Sequence, residues 1–213
     1  MHLTIFSDVH GNLPALIAML KHTKTTDGYI CLGDVVGYGP WANECVDIVR
    51  ALPNIVYIQG NHEKCFATGY YDGNNEIAKT FFNFCYPLFD RKEKISNLLE
   101  SYSLNGFTFK HTIFNQSIYP DSTPTLDNNY VIGHSHHQFK LEQPPFTLYN
   151  VGSVGQNRKY INVINFMVFD TKTTQFTPFA VNYDDNIIIN EMRKKGYPQI
   201  CIDYYNNKQR LRT

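Results

Sequence analysis

The sequence has no excess charge of either sign: 19 Lys and Arg are balanced by 19 Asp and Glu among 213 residues. That balance argues against bulk attraction to nucleic acid or to an anionic membrane surface. Paired thiols are missing as well. The five cysteines stand at 31, 45, 65, 85 and 201, an odd number with no Cys-x-x-Cys spacing. This argues against a disulfide framework and for reduced thiols in a cytoplasmic protein. No run approaches the ~20 apolar residues of a membrane span. The N-terminus, Met1-His2-Leu3-Thr4-Ile5-Phe6-Ser7-Asp8, lacks the basic start and long apolar stretch of a signal peptide. What remains is a chain of single-domain length, 1–213, with enough aromatic residues (15%) for a well-packed core.

The first sixty residues alternate strand and helix. Leu3–Ser7, Tyr29–Leu32 and Ile55–Ile58 are short apolar runs fit for buried strands. Between the first two, Asn12 can cap a helix that has Pro14 in its first turn and Leu13, Leu16, Ile17 and Leu20 on one face. Pro40 opens a second helix, with Cys45, Val46, Ile48, Val49 and Leu52 as its apolar positions. A β-α-β-α-β order of this kind predicts parallel strands with helical crossovers. Residues 74–103 read as a helical, cap-like segment, striped first by Ile77, Phe81, Phe84 and Cys85 and then by Ile95, Leu98 and Leu99. Strands follow at 106–111, 129–132, 146–151, 163–169 and 176–181, and a tail at 184–213 has a helical piece that Gly196 and Pro198 stop.

Six patches of ligand-type residues punctuate this pattern: Asp8-Val9-His10, Gly33-Asp34, Gly60-Asn61-His62-Glu63, His111, Gly133-His134-Ser135-His136 and Asn150-Val151-Gly152-Ser153. Mixed imidazole, carboxylate and amide ligands without thiolate suit a pair of borderline divalent ions. Singly the patches are weak, since Asp8 also suits a helix cap and Gly-Asp is common turn chemistry. As a set they are specific. Asp8, Asp34 and Asn61 each fall just past the C-terminal end of a strand, where open α/β sheets place their ligands. Six of the eight histidines lie in or beside the patches, at 10, 62, 111, 134, 136 and 137. His2 and His22 read as surface residues, and His137 as a spare neighbour ahead of a substrate contact.

The order D-x-H, G-D, G-N-H-E, H and G-H-x-H resembles the signature of the calcineurin-like metallophosphoesterase superfamily. Val35-Val36-Gly37-Tyr38-Gly39-Pro40 and Asn150-Val151-Gly152-Ser153-Val154-Gly155-Gln156 resemble its small bacterial and archaeal phosphodiesterase branch. The resemblance covers residues 3–158. It implies an α/β fold, a four-layer α-β-β-α sandwich of two mixed sheets with flanking helices and a dinuclear metal site at the strand C-terminal ends. It assigns one metal to Asp8, His10 and His136 and the other to Asn61, His111 and His134, with Asp34 bridging. Two cations about 3.5–4 Å apart can hold a bridging hydroxide that attacks phosphorus in line. His62 is implied to protonate or stabilise the leaving oxygen.

The chain departs from the family at Thr112, where Gly usually follows the lone His, and at Val151, where Pro is usual. Neither change removes a ligand. Arg158, just after the Gly-Ser-Val-Gly-Gln loop, is a candidate phosphate clamp and equally a plain solubilising arginine. The expected activity is hydrolysis of a small phosphate ester, a diester on branch resemblance. A phosphomonoesterase or dinucleoside-polyphosphate hydrolase on the same centre is the alternative. Mn²⁺ is the expected cofactor, with Fe, Zn, Ni and Co as other candidates. A non-catalytic scaffold like the retromer subunit of this fold is disfavoured, because His62 and all seven ligand positions are filled. A nuclease draws no support from the charge balance.

Overall fold

Short β-branched and aromatic runs make the strands, and apolar-periodic runs make the helices between them, in a computed structural model that describes residues 1–212. The first half follows the expected order: β1 (His2–Phe6), α1 (Leu13–His22), β2 (Gly28–Cys31), α2 (Ala42–Arg50) and β3 (Ile55–Tyr57). β1 pairs with β2 and β2 with β3, both parallel. Asn12 caps α1 by accepting the Ala15 N–H at 3.2 Å. α3 (Asn61–Thr68) starts almost at the end of β3, so Asn61 and His62 sit in its first turn.

The segment expected to be helical over 74–103 is helical only in part. α4 (Glu76–Cys85) runs into a 3₁₀ turn at Tyr86–Leu88, and α5 (Lys92–Ile95) is a single turn. Leu99 belongs to no helix. Its N–H donates to the Tyr57 carbonyl and its carbonyl accepts the Gln59 N–H, so it bridges beside Ile58. A backbone partner at the open edge of β3 outweighs the helical spacing of Leu98 and Leu99.

The second half supplies β4 (Tyr102–Leu104), β5 (Phe107–Phe109), β6 (Asn129–Ile132), β7 (Gln138–Gln143), β8 (Phe146–Val151), β9 (Val163–Asp170) and β10 (Gln175–Asn182). β4 and β7 were not anticipated from the sequence. α6 (Asn186–Lys194) ends before Gly196 as expected, but Pro198 then caps a further helix, α7 (Gln199–Asn206).

Ten strands form two mixed sheets, ordered β10-β9-β1-β2-β3 and β4-β5-β6-β8-β7. The sheets face each other across an apolar layer that includes Ile5, Ile30, Leu32, Phe109, Val131, Val151, Met167 and Phe169. Val151 is fully buried in this layer. The apolar faces of α1 to α7 all join one cluster against the outer side of the first sheet, around Phe6, Met19, Val46, Phe66, Phe81 and Tyr205. The outer side of the second sheet is packed by Ile113, Ile118 and Leu126, from the irregular stretch between β5 and β6.

Each sheet contributes three parallel strands, β1, β2 and β3 from one and β5, β6 and β8 from the other. Their carboxyl ends meet at one edge of the sandwich. Val154, just past β8, donates its N–H to the Ser7 carbonyl, just past β1, at 3.0 Å.

Candidate metal centre

Every one of those six strand ends carries a chemically useful side chain. Asp8 and His10 follow β1, Asp34 follows β2, Asn61 and His62 follow β3, His111 follows β5, His134 and His136 follow β6, and Arg158 follows β8. The turns that present them are strained. Asp8, His10, Asp34, His134 and His136 all adopt left-handed backbone, with φ of 56°, 51°, 56°, 68° and 61°. Such conformations cost of order 1 kcal/mol each for residues with a Cβ, and they persist where the surroundings hold them. Two glycines show how tight those surroundings are. A Cβ on Gly60 would run into the Asp34 carboxylate, and a Cβ on Gly37 (φ 97°) would reach His62 Nδ1.

The side chains gather into two triads. Asp8, His10 and His136 form one, and Asp34, His111 and His134 form the other. Asn61 joins the second, its Oδ1 lying 3.0 Å from His111 Nε2 and 2.9 Å from His134 Nδ1. Asp34 stands between them, with Oδ2 3.2 Å from His111 Nε2 and 4.0 Å from His10 Nε2. All seven positions assigned as ligands by resemblance therefore come together, and His62 lies within ligand distance of His10 and Asp34 as a third group.

The imidazoles are oriented to offer lone pairs inward. His10, His111 and His136 point Nδ1 at the carbonyls of Val36, Leu32 and Gln156, at 3.2, 2.9 and 2.9 Å. A carbonyl only accepts, so each Nδ1 carries a hydrogen and each Nε2 is turned toward the triads, where a cation would meet it. His10 Nε2 then faces His136 Nε2 at 3.1 Å. Asp8 Oδ1 is buried without a hydrogen-bond partner, although His136 Nε2 is 3.2 Å away. Converging lone pairs and an orphaned carboxylate oxygen are what a cation between them would satisfy. The donor set fits a pair of divalent ions.

The charge pattern agrees. Burial pushes the Asp34 carboxyl up, but the His111, His62 and His10 rings outweigh it and hold the group well below the carboxylate range. Asp8 behaves alike: burial raises it, and His136 and His10 bring it down. Burial lowers His62 to about 3 and His136 to about 4. His111 is disfavoured by burial yet raised to about 9, chiefly by Asp34.

Glu63, the last residue of the Gly60-Asn61-His62-Glu63 patch, had no role assigned from the sequence, yet it organises the site. Its carboxylate accepts the N–H groups of Asp34 (2.7 Å), Val35 (2.6 Å) and Gly60 (2.9 Å) and the Tyr57 hydroxyl (3.1 Å). Its partners are mostly backbone, so no pair of side chains betrays the role. Asn150 and Ser153 act similarly. Asn150 Nδ2 donates to the Gly133 carbonyl, and the Ser153 hydroxyl to the Asp8 carbonyl at 2.8 Å.

The triads open into a cleft of about 270 Å³ walled by Tyr38, Tyr71, Tyr119, His62, Ser135 and Arg158. Arg158 is half-buried, not freely solvated, and its Nη1 donates to the Tyr204 hydroxyl from α7. His137 lies beside Tyr119, and His2 and His22 are exposed, all apart from the triads.

Facing mixed sheets with Asp, His and Asn clusters at their parallel strand ends define the metallophosphoesterase architecture. The chain belongs to the calcineurin-like phosphoesterase family, whose pattern matches residues 1–149. It is 29% identical to the uncharacterized protein MJ0912 of Methanocaldococcus jannaschii, over 92% of this chain and 94% of that one. Among solved structures, a metallophosphoesterase from Sphaerobacter thermophilus superposes with a TM-score of 0.81 at 24% identity, covering 97% of this chain and 98% of that one. The hypothetical protein PH1004 from Pyrococcus horikoshii OT3 does so with 0.83 at 16% identity, covering 96% and 97%. No helix among the described residues is long and apolar enough to cross a membrane, and all five cysteines are free and buried.

Proposed function

We propose that this chain hydrolyses phosphodiesters with the aid of two divalent ions, Mn²⁺ foremost, held by Asp8, His10 and His136 and by Asn61, His111 and His134, with Asp34 shared. The observation that carries the reading is the pair of triads separated by one carboxylate. Seven donors are too many for one ordinary site, and Asp34 reaches toward both. Bound there, such ions supply an activated water near neutral pH and neutralise phosphoryl oxygens.

The chain's own residues do the rest. Glu63 fixes the Asp34 and Asn61 turns, so the donors are pre-set in geometry. Arg158, anchored by Tyr204, presents a guanidinium toward the phosphoryl group across the cleft. His62 is buried and neutral at pH 7, so it offers an N–H to the leaving oxygen as charge builds there. Tyr38, Tyr71 and Tyr119 wall one side of the cleft that would receive the phosphate. A second pocket lies on the other side of Asn61, which lines both, so two ester substituents have a place each. A monoester would leave one side empty.

A metal-supplemented comparison of bis-nitrophenyl phosphate with nitrophenyl phosphate tests this. Faster turnover of the diester, abolished by chelator, is expected. Turnover of monoesters alone across all metals tried would replace the reading with a phosphomonoesterase. No turnover of either with both triads loaded would favour a scaffold.

A further inference from the structure

On the far side of His111 and Asn61 from the cleft lies a second pocket, a lysine arm of about 210 Å³, lined by Gln59, Lys64, Glu100, Lys110, Thr112 and Asn115. Asn61 lines both pockets. Lys64 lies one turn after Asn61 on α3, and Lys110 immediately precedes His111. Neither ammonium group has an acidic partner within ion-pair distance among the described residues, so both charges are available to a ligand in the arm. Two unpaired lysines against one carboxylate, that of Glu100, leave the arm net positive in a chain whose overall charge is zero. A localised positive arm beside a phosphoesterase centre selects for a second anion on the substrate.

The in-line geometry says which substituent carries that anion. The leaving oxygen departs opposite the attacking oxygen, on the side where His62 and Arg158 stand. With the leaving group on that side, the lysine arm is the pocket left to receive the retained substituent. We propose that this arm is a subsite for a second phosphate borne by the retained substituent, so that the substrate is a diester with a phosphate on its retained half. This rests on the phosphodiesterase reading above. In the reaction water's oxygen forms the new P–O bond, the bond to the leaving oxygen breaks, and a water proton ends on that oxygen. The retained product is a bisphosphate.

Two matched probes isolate the claim: the nitrophenyl ester of thymidine 5′-phosphate, with and without a 3′-phosphate. They share a leaving group and differ only on the retained side. The metal-loaded protein should show a KM roughly 10- to 100-fold lower for the 3′-phosphorylated ester, the scale of one or two charge-assisted contacts. The ratio should fall toward one in a Lys64→Gln/Lys110→Gln double variant whose melting curve matches the parent. Calorimetry reads the same subsite without turnover: thymidine 3′,5′-bisphosphate should bind more tightly than thymidine 5′-phosphate, and the double variant should lose that difference. Equal binding of the two nucleotides, or a preference that survives loss of both lysines, would overturn the subsite while leaving diester hydrolysis standing. A bisphosphate preference with no hydrolysis of either ester would keep the subsite and overturn the phosphodiesterase reading.

Discussion

Glu63 and Asp34 are joined through the main chain. Glu63 Oε2 accepts the Asp34 N–H at 2.7 Å, while Asp34 Oδ1 accepts the His62 N–H, one residue before Glu63, at 2.8 Å. This reciprocal pair locks the turn after β2 to the first turn of α3. It also holds Asp34 in left-handed backbone, the conformation that aims its carboxylate between the two triads.

Glu63→Gln should therefore loosen metal binding although Glu63 touches neither triad. An amide has one acceptor oxygen where the carboxylate has two, so its NH₂ must face a buried backbone N–H. Leaving a buried donor unpaired costs about 1–3 kcal/mol, and changes to groups that orient ligands typically cost about 10- to 100-fold in affinity. A lower melting temperature together with weaker binding at both metals is expected by scanning calorimetry and metal titration. Unchanged affinity would mean that the turn is held by other contacts.

Asp34→Ala should weaken both metals together, because its carboxylate stands between the two triads. His10→Ala should weaken chiefly the one held with Asp8 and His136. Elemental analysis of protein equilibrated at limiting metal reads this directly. A single-site stoichiometry in active parent protein would end the two-metal reading.

His62 lies within ligand distance of His10 and Asp34 as a third grouping, so its role needs separating from theirs. His62→Gln should keep both metals and slow turnover by about 10²–10⁴-fold on an alkoxide leaving group. The loss should shrink for nitrophenolate, which departs without help. Loss of a metal in this variant would make His62 a ligand and redraw the allotment.

The clustered Asp, His and Asn positions were legible because strand ends announce themselves: an apolar run, then Gly or Ser, then Asp, His or Asn, as at Ser7-Asp8, Gly33-Asp34 and Gly60-Asn61. Their convergence was not in the spacing, since Asp8 and His134 meet across 126 residues; only the family order of motifs implied it. β7 stayed hidden because Gln138–Gln143 has just two apolar residues, Phe139 and Leu141, behind a run of histidines. The Ile95, Leu98 and Leu99 stripe pointed to a helix, and Leu99 instead pairs with the edge at Tyr57. Gly196 and Pro198 carry the same stop signal whether a chain ends or turns into another helix. α7 and Tyr204 were missed on that account.

Metal-free protein should be most stable near pH 6.5. Between the folded values of His62 (about 3) and His136 (about 4) and the unfolded value of 6.5, the unfolded chain binds more protons, so stability falls as pH drops through this window. Between 6.5 and about 9 the folded chain binds the extra proton, at His111, so that contribution is lost as pH rises. Loading with metal should remove the alkaline decline, because a cation on His111 Nε2 replaces the proton there. Denaturant midpoints from pH 4.5 to 9.5, with and without chelator, check both arms. A metal-free midpoint that climbs steadily past pH 7 would contradict the assignment of His111.

The last expectation concerns Arg158, whose guanidinium is tied to a helix beyond the family-matched residues 1–149. Tyr204 Oη accepts from Arg158 Nη1 and donates to Gln156 Oε1 at 3.3 Å, and Gln156 Nε2 donates to the Tyr205 hydroxyl. The guanidinium is thus aimed by α7. Arg158→Ala should raise KM roughly 10- to 100-fold, the scale of one charged hydrogen bond, and Arg158→Lys should recover only part of it, since a lysine cannot make the two-pronged contact. Tyr204→Phe keeps the ring packing and removes only the hydroxyl, so it should raise KM in the same direction by less, with metal content unchanged. Kinetics in which both variants change kcat and leave KM untouched would mean that Arg158 acts on the reacting centre and does not hold the bound phosphate.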